Sequence, residues 1–267
     1  PRAGSTLLFE TLAASSQLCT VGGEAHWLVE GIEALRPGAP GVDSNRLTAD
    51  HVTDAIAEDI REQILSRLQD HGGQPLQEPG ERRFLEKTPK NALRIPFFDR
   101  IFPDARFVFL WRDPRENISS IMEAWRSGQW RTYPKLEGFD GPWSMLLPPG
   151  WRAMNGRPLA EIAAWQWQQT NARILDDLTP LGHERWAVVQ YDDLLRDPPG
   201  TIGKLCEFLR LPVDSALAQR LSAPLPPSRY TLTAPSADKW RANEAQIARV
   251  LPSVQATWDR LRVLRSE

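Results

Sequence analysis

Apolar residues follow two different spacings along the chain, and each spacing predicts a different element. Val52, Ile56, Ile60, Ile64 and Leu68 recur every four residues, which predicts an amphipathic helix over 48–70 with Thr48 at its start. Leu7, Leu8, Thr11 and Leu12 give an apolar face to a shorter helix behind the polar turn Pro1-Arg2-Ala3-Gly4-Ser5-Thr6. Elsewhere the apolar residues run unbroken. Phe107, Val108, Phe109 and Leu110 mark a strand over 106–111, and shorter strands are expected at 83–86, 186–190 and 19–21. Helices are expected at 114–127, 159–178, 198–209 and near 253–265. Unbroken apolar strands separated by helices predict a parallel sheet covered on both faces, the α/β class.

Two stretches leave this pattern. Residues 36–46 form a Pro/Gly-rich loop, and 128–157 hold Trp130, Trp143 and Trp151 among prolines and glycines. A long irregular loop in a folded domain is usually functional or disordered. The expected organisation is one domain over 1–267 with a loop insertion at 128–157. The tryptophans there fit two roles equally well: packing the loop onto the domain, or facing an aromatic or apolar acceptor.

The net charge of −2 gives no bulk field for nucleic acid or an anionic membrane, so any anion site must be local. Two cysteines, Cys19 and Cys206, exclude a disulfide framework and read as buried thiols. The apolar run ending at Trp111 is too short to span a bilayer. No secretory signal is seen, and the expectation is a cytoplasmic protein.

Two segments carry candidate chemistry. The turn at 1–6 feeds a helix, so its backbone N–H groups converge near a helix N-terminus, with Arg2, Ser5 and Thr6 adding donors. That set suits phosphate. It is not a Walker A loop, because the second glycine and the lysine are missing. The second segment, Trp111-Arg112-Asp113-Pro114-Arg115-Glu116, follows the best strand. Asp113 as N-cap, Pro114 at the first helical position and Glu116 completing a capping box are explained by helix initiation. Arg112 is not. It stands at the C-terminal edge of a parallel strand, where open α/β sheets bind ligands, and Ser120 lies two turns further on.

These residues resemble the sulfotransferases that use 3′-phosphoadenosine 5′-phosphosulfate (PAPS). Pro1-Arg2-Ala3-Gly4-Ser5-Thr6 is similar to their 5′-phosphosulfate loop, and Arg112-Asp113-Pro114 with Ser120 to their 3′-phosphate site. Glu86-Lys87-Thr88-Pro89, the segment from Tyr191 to Asp197-Pro198, and Asp238-Lys239-Trp240-Arg241 resemble three further elements in family order. The resemblance implies a P-loop-type doubly wound parallel sheet with helices on both faces. It implies PAPS as donor, 3′-phosphoadenosine 5′-phosphate (PAP) as product, and no metal. It assigns Arg2, Ala3, Gly4, Ser5, Thr6, Arg112, Ser120, Tyr191, Lys239, Trp240 and Arg241 to the nucleotide. One departure stands out. The family places a strand directly before the phosphosulfate loop, so a sheet built from this chain is expected to lack a central strand.

Arg2 and Lys87 are the expected catalytic cations. Gly22-Gly23-Glu24-Ala25-His26 resembles the Gly-Glu-x-Arg segment of tyrosylprotein sulfotransferases and the Glu-x-His segment of polyketide-synthase sulfotransferase domains. In an extended segment Glu24 and His26 point the same way, one as base and the other orienting it. The acceptor is a small-molecule, carrier-bound or peptide hydroxyl or amine. Two other readings remain: a P-loop nucleotide kinase, which needs the missing lysine, and a non-catalytic nucleotide binder.

Overall fold

Gly4 ends the opening turn with φ 100°, a left-handed conformation that glycine adopts freely, and α1 (Ser5–Leu12) follows. The computed structural model describes residues 1–78, 80–232, 236 and 238–264. After α1 come β1 (Leu18–Cys19) and the short helix α2 (His26–Glu30). The helix expected over 48–70 is broken near its start. Thr48 caps a single 3-10 turn at Ala49–His51, and α3 (Asp54–Leu65) begins where Thr53 Oγ1 accepts from the Ile56 N–H at 3.2 Å. The Thr53 hydroxyl satisfies an orphan N–H of the next turn, so a new helix starts five residues after Thr48.

β2 keeps only Arg83–Phe84 of its expected strand, and α4 (Ile95–Ile101) follows. Then come β3 (Phe107–Trp111), α5 (Pro114–Ser127), β4 (Arg131–Tyr133) and β5 (Trp143–Ser144). The chain continues through α6 (Leu159–Leu178), β6 (Trp186–Gln190), α7 (Tyr191–Arg196), α8 (Pro198–Leu209) and α9 (Ser215–Leu221). It closes on α10 (Glu244–Val263), which starts well before the expected residue 253 and carries Pro252 inside it. A proline normally ends a helix because it removes an N–H and crowds the preceding turn. Here Ile247, Val250, Val254 and Leu261 bury one continuous face across the proline.

β3 and β6 pair in parallel, from Phe107 opposite Trp186 to Trp111 opposite Gln190. Phe109 and Trp111 pack on Ile118, Ile121, Trp167 and Val254, from α5, α6 and α10. Val189 packs on Leu7, Leu8, Ile202 and Leu205, from α1 and α8, with Val108 and Leu110 against them. Both faces of the pair are therefore covered by helices, as the apolar runs required. β1 and β2 form a second parallel pair. The two pairs are not joined into one sheet. β2 pairs only with β1 and β3 only with β6 among the described residues. An apolar cavity of about 730 Å³, lined by Phe84, Leu85, Val108 and Leu110 among others, lies between β2 and β3.

The 128–157 stretch differs from the irregular loop its composition suggested. β4 and β5 pair antiparallel, and Trp143 and Trp151 are buried with Leu147 and Ile162. The Trp143 ring lies 5.2 Å from Trp125, 5.0 Å from Phe139 and 6.2 Å from both Trp151 and Trp165. Both indole N–H groups are satisfied, Trp143 by the Leu146 carbonyl at 2.9 Å and Trp151 by the Asp43 carbonyl at 2.8 Å. These two tryptophans pack; they do not face a ligand.

Candidate active site

Pro1, Arg2, Gly4, Ser5 and Thr6 meet the C-terminal ends of β3 and β6 at one pocket, which also takes Arg112, Ser120 and Tyr191. Gly4 is required there twice. Its φ of 100° disfavours a side chain, and a Cβ at this position would meet the Tyr191 ring at 2.3 Å. Arg2 is held in a left-handed conformation, φ 61°. Its Nε donates to Ser120 Oγ at 3.4 Å, its Nη1 donates to the Tyr230 carbonyl at 2.9 Å, and its guanidinium lies 4.7 Å from the Trp130 ring centre. Arg112 stands 4.5 Å over the Tyr191 ring and donates to Glu116 Oε2 at 2.8 Å.

That last contact corrects the expected capping box. Asp113 does cap α5, accepting from the Arg115 N–H at 2.9 Å, but Glu116 is engaged by Arg112 instead of reaching back to the helix start. A half-buried i,i+4 ion pair competes well with one more hydrogen bond to an exposed N–H. Burial lowers the Arg2 pKa, and the like charge of Arg112 lowers it further. No carboxylate lies within ion-pair reach of Arg2 among the described residues. Two guanidiniums, two hydroxyl residues of the loop and a glycine turn therefore converge on a place suited to an anion.

The Glu24 segment follows β1 and reaches the same pocket. Thr88 Oγ1 accepts from the Ala25 N–H at 2.8 Å and fixes the segment against the residues after β2. Glu24 and His26 meet through Oε2 and Nε2 at 3.0 Å, although His26 opens α2 and the segment is not extended as expected. Lys87 Nζ donates to Thr6 Oγ1 at 3.0 Å and to Glu24 Oε1. Burial pushes the Glu24 carboxyl up, but the His26 hydrogen bond and the Lys87 charge outweigh it, and the net shift is downward. Glu24 is thus held ionised beside a cation and an imidazole.

Not every expected residue joins the site. Lys239 and Trp240 line the pocket, with Lys239 Nζ donating to Glu123 Oε2 at 2.7 Å. Arg241 is exposed and pairs with Asp238 at 2.8 Å and with Glu244, so it is not brought to the pocket. Its side chain follows the turn that starts α10, where local acidic partners are nearer. Ala3 lines the neighbouring apolar cavity instead. Sequence reasoning missed Tyr230, whose carbonyl holds Arg2 and whose ring lies 5.9 Å from Lys87 Nζ. A single tyrosine in an aperiodic stretch carries no signal that would have found it. Met145, Leu146, Thr132 and Lys90 also line the pocket and were not anticipated.

A sulfotransferase family model matches residues 1–215. The chain belongs to the sulfotransferase family. No curated protein sequence matches it. Among solved structures, this sulfotransferase is similar to the sulfotransferase domain from the curacin biosynthetic pathway. Identity is 20 %, coverage is 96 % of this chain and 94 % of that one, and the TM-score is 0.54. It is similarly close to the sulfotransferase domain of the Synechococcus PCC 7002 olefin synthase. There identity is 20 %, coverage 95 % and 90 %, and TM-score 0.54. At such identities the likeness concerns the fold: a P-loop-type α/β arrangement of parallel strands between helices. No described helix is long and apolar enough to cross a membrane.

Proposed function

We propose that this sulfotransferase moves a sulfuryl group from PAPS to a hydroxyl or amine of an acceptor, with the whole chain acting as one domain. The observation that carries the reading is the placement of Lys87, within hydrogen-bond reach of both Thr6 in the phosphosulfate-type loop and Glu24. A cation that touches both the donor loop and a candidate base suits transfer between the two.

The residue set fits PAPS in its chemistry. Arg2, the Gly4 turn and the Ser5 and Thr6 hydroxyls suit the 5′-phosphosulfate end; Arg112 and Ser120 suit the 3′-phosphate. Tyr191, Lys239 and Trp240 border the space between. The acceptor oxygen attacks sulfur in line, the bond from sulfur to the bridging phosphate oxygen breaks, and that oxygen keeps the electron pair. Lys87 and Arg2 stabilise the charge that grows there, where a fixed cation acts most strongly in the transition state. The acceptor proton passes to the Glu24–His26 pair, and a positioned base of this kind contributes about 10²–10⁴-fold. The acceptor is a small molecule, a carrier-bound chain or a peptide.

The test is calorimetry with PAP and with ATP–Mg²⁺, followed by mass detection of a sulfuryl group on an acceptor panel. Selective PAP binding is expected. Preference for ATP–Mg²⁺ would move the chain to the phosphotransferases; PAP binding with no transfer to any acceptor would leave a nucleotide-binding protein.

A further inference from the structure

Arg2 differs from the other cationic side chains around the candidate active site in what holds it. Lys90, Arg112 and Lys239 line the same pocket and are ion-paired with Glu30, Glu116 and Glu123. Arg2 has no carboxylate partner among the described residues. The acid whose charge reaches it, Glu123, is bound by Lys239 Nζ at 2.7 Å.

Other contacts support Arg2. Its backbone is left-handed, φ 61°, a costly conformation for any residue but glycine, which persists where its surroundings enforce it. Ser120 Oγ accepts from Nε at 3.4 Å, long for a hydrogen bond, and the Tyr230 carbonyl accepts from Nη1 at 2.9 Å. The guanidinium stands over the Trp130 ring, 4.7 Å from its centre.

A ring and a carboxylate hold a cation in different ways. A carboxylate takes the N–H bonds of a guanidinium and cancels its charge, so an incoming phosphate must displace it. A ring face attracts the cation through its quadrupole, takes none of its in-plane N–H bonds and leaves the net charge in place. The charge of Arg2 is therefore positioned without being spent.

Trp130 is fixed independently of Arg2. It lies two residues beyond Gly128, the C-cap of α5. Its carbonyl accepts from the Met145 N–H at 2.9 Å and from Thr132 Oγ1 at 3.3 Å, and its ring packs on the core that covers β3. Ser120 belongs to the same α5, so one helix and the turn after it supply two of the three side-chain supports of Arg2.

We propose that Trp130 is a positioning residue that holds the Arg2 guanidinium, still charged, at the 5′ end of the nucleotide site. The proposal rests on the PAPS reading above, and it puts Trp130 on the donor side of the pocket.

The experiment compares two nucleotides by calorimetry: PAP, and adenosine 3′-monophosphate, which lacks the 5′-phosphate. The proteins are wild type, Trp130→Leu, Trp130→Phe, Arg2→Ala and the double variant Arg2→Ala/Trp130→Leu. Leucine keeps apolar bulk without a ring, and phenylalanine restores a ring face. Trp130→Leu is expected to weaken PAP by about three- to tenfold, the size of a cation–π contact, and to leave adenosine 3′-monophosphate unchanged. Trp130→Phe recovers most of that loss. In the Arg2→Ala background Trp130→Leu costs nothing further, because the ring acts through the guanidinium. A loss of both nucleotides in Trp130→Leu, through misfolding or otherwise, makes Trp130 a packing residue and overturns the proposal. So does a Trp130→Phe variant no better than Trp130→Leu, or full additivity in the double variant. A wild type that binds PAP no more tightly than adenosine 3′-monophosphate, or binds neither, overturns the PAPS reading itself and the proposal with it.

Discussion

The ammonium of Lys87 donates a hydrogen bond to the carboxylate of Glu24. The cation proposed for the leaving side is therefore anchored by one member of the pair proposed to take the acceptor proton. Glu24→Gln keeps the size of the side chain, removes its basicity and loosens Lys87. Turnover is expected to fall by about 10²-fold or more with PAP affinity nearly intact. The net downward shift of the Glu24 pKa also fixes a pH limb. The carboxyl is lowered from the ordinary 4.5, so any loss of kcat/KM through its protonation falls below pH 4.5. A wild-type profile already falling with an apparent pKa near 6 would assign that limb to another group.

Arg112 tests the other end of the nucleotide. It is oriented by Glu116 and by the Tyr191 ring, so it is positioned before any ligand arrives. Arg112→Ala removes a charge-assisted contact worth about 1.5–3 kcal/mol, or roughly 10- to 150-fold in PAP affinity. Calorimetry measures this directly, and an unchanged affinity would place the 3′-phosphate elsewhere.

Gly4 separates a steric cause from a conformational one. Gly4→Ala places a Cβ 2.3 Å from the Tyr191 ring on a backbone with φ 100°. Both PAP affinity and Tm are expected to drop. Adding Tyr191→Leu relieves the clash but not the backbone strain, so the double variant should recover only part of the lost Tm. Full recovery would show that strain at Gly4 contributes nothing.

Much of this arrangement was legible in the sequence, for physical reasons that differ by element. Strand β6 and helices α5, α6 and α8 fall where the apolar pattern placed them, because each buries a regular face or run. The Glu24–His26 contact was expected of an extended segment, and it forms although His26 opens α2. Other features depend on contacts between distant segments. Whether Trp143 packs or binds was undecidable without knowing that Trp125, Phe139 and Trp165 surround it. Pro252 hid the first half of α10, because a local rule about proline was overridden by burial along the whole helix face. Arg241 matched a family element, yet its acidic neighbours Asp238 and Glu244 hold it outside the pocket.

Asp214 gives the stability of the fold a definite acid limb. It caps α9 by accepting from the Leu217 N–H at 2.9 Å, and it accepts from Ser15 Oγ at 2.6 Å and the Ser16 N–H at 2.7 Å. Partial burial pushes the carboxyl up, but these hydrogen bonds outweigh it and lower the pKa from 3.8 to about 2. The folded state therefore binds this proton less readily than the unfolded chain. The stabilisation is fully present above pH 3.8 and is lost as pH falls towards 2. Asp214→Asn should lower Tm at pH 7 and make little difference near pH 2. An equal Tm loss at both ends would mean the residue acts through packing and not through its charge.

Trp143 tests whether the 128–157 stretch is an independent lid or part of the core. It is fully buried, ringed by four aromatic side chains, and its indole N–H is bonded to the Leu146 carbonyl. Trp143→Ala removes a large buried ring and leaves a cavity, which typically costs about 3–5 kcal/mol. A separate lid would loosen without affecting the rest. Here Trp143 packs on Trp125 of α5 and Trp165 of α6, and both helices also cover β3. The loss is therefore expected in global unfolding, as a lower denaturant midpoint in a single transition. PAP affinity below that midpoint should survive, since Arg2 and Arg112 are held by Ser120, Tyr230, Trp130, Glu116 and Tyr191, none of which belongs to the Trp143 cluster. A second, earlier unfolding transition confined to this stretch, with the main midpoint unmoved, would show that 128–157 folds as a separate unit.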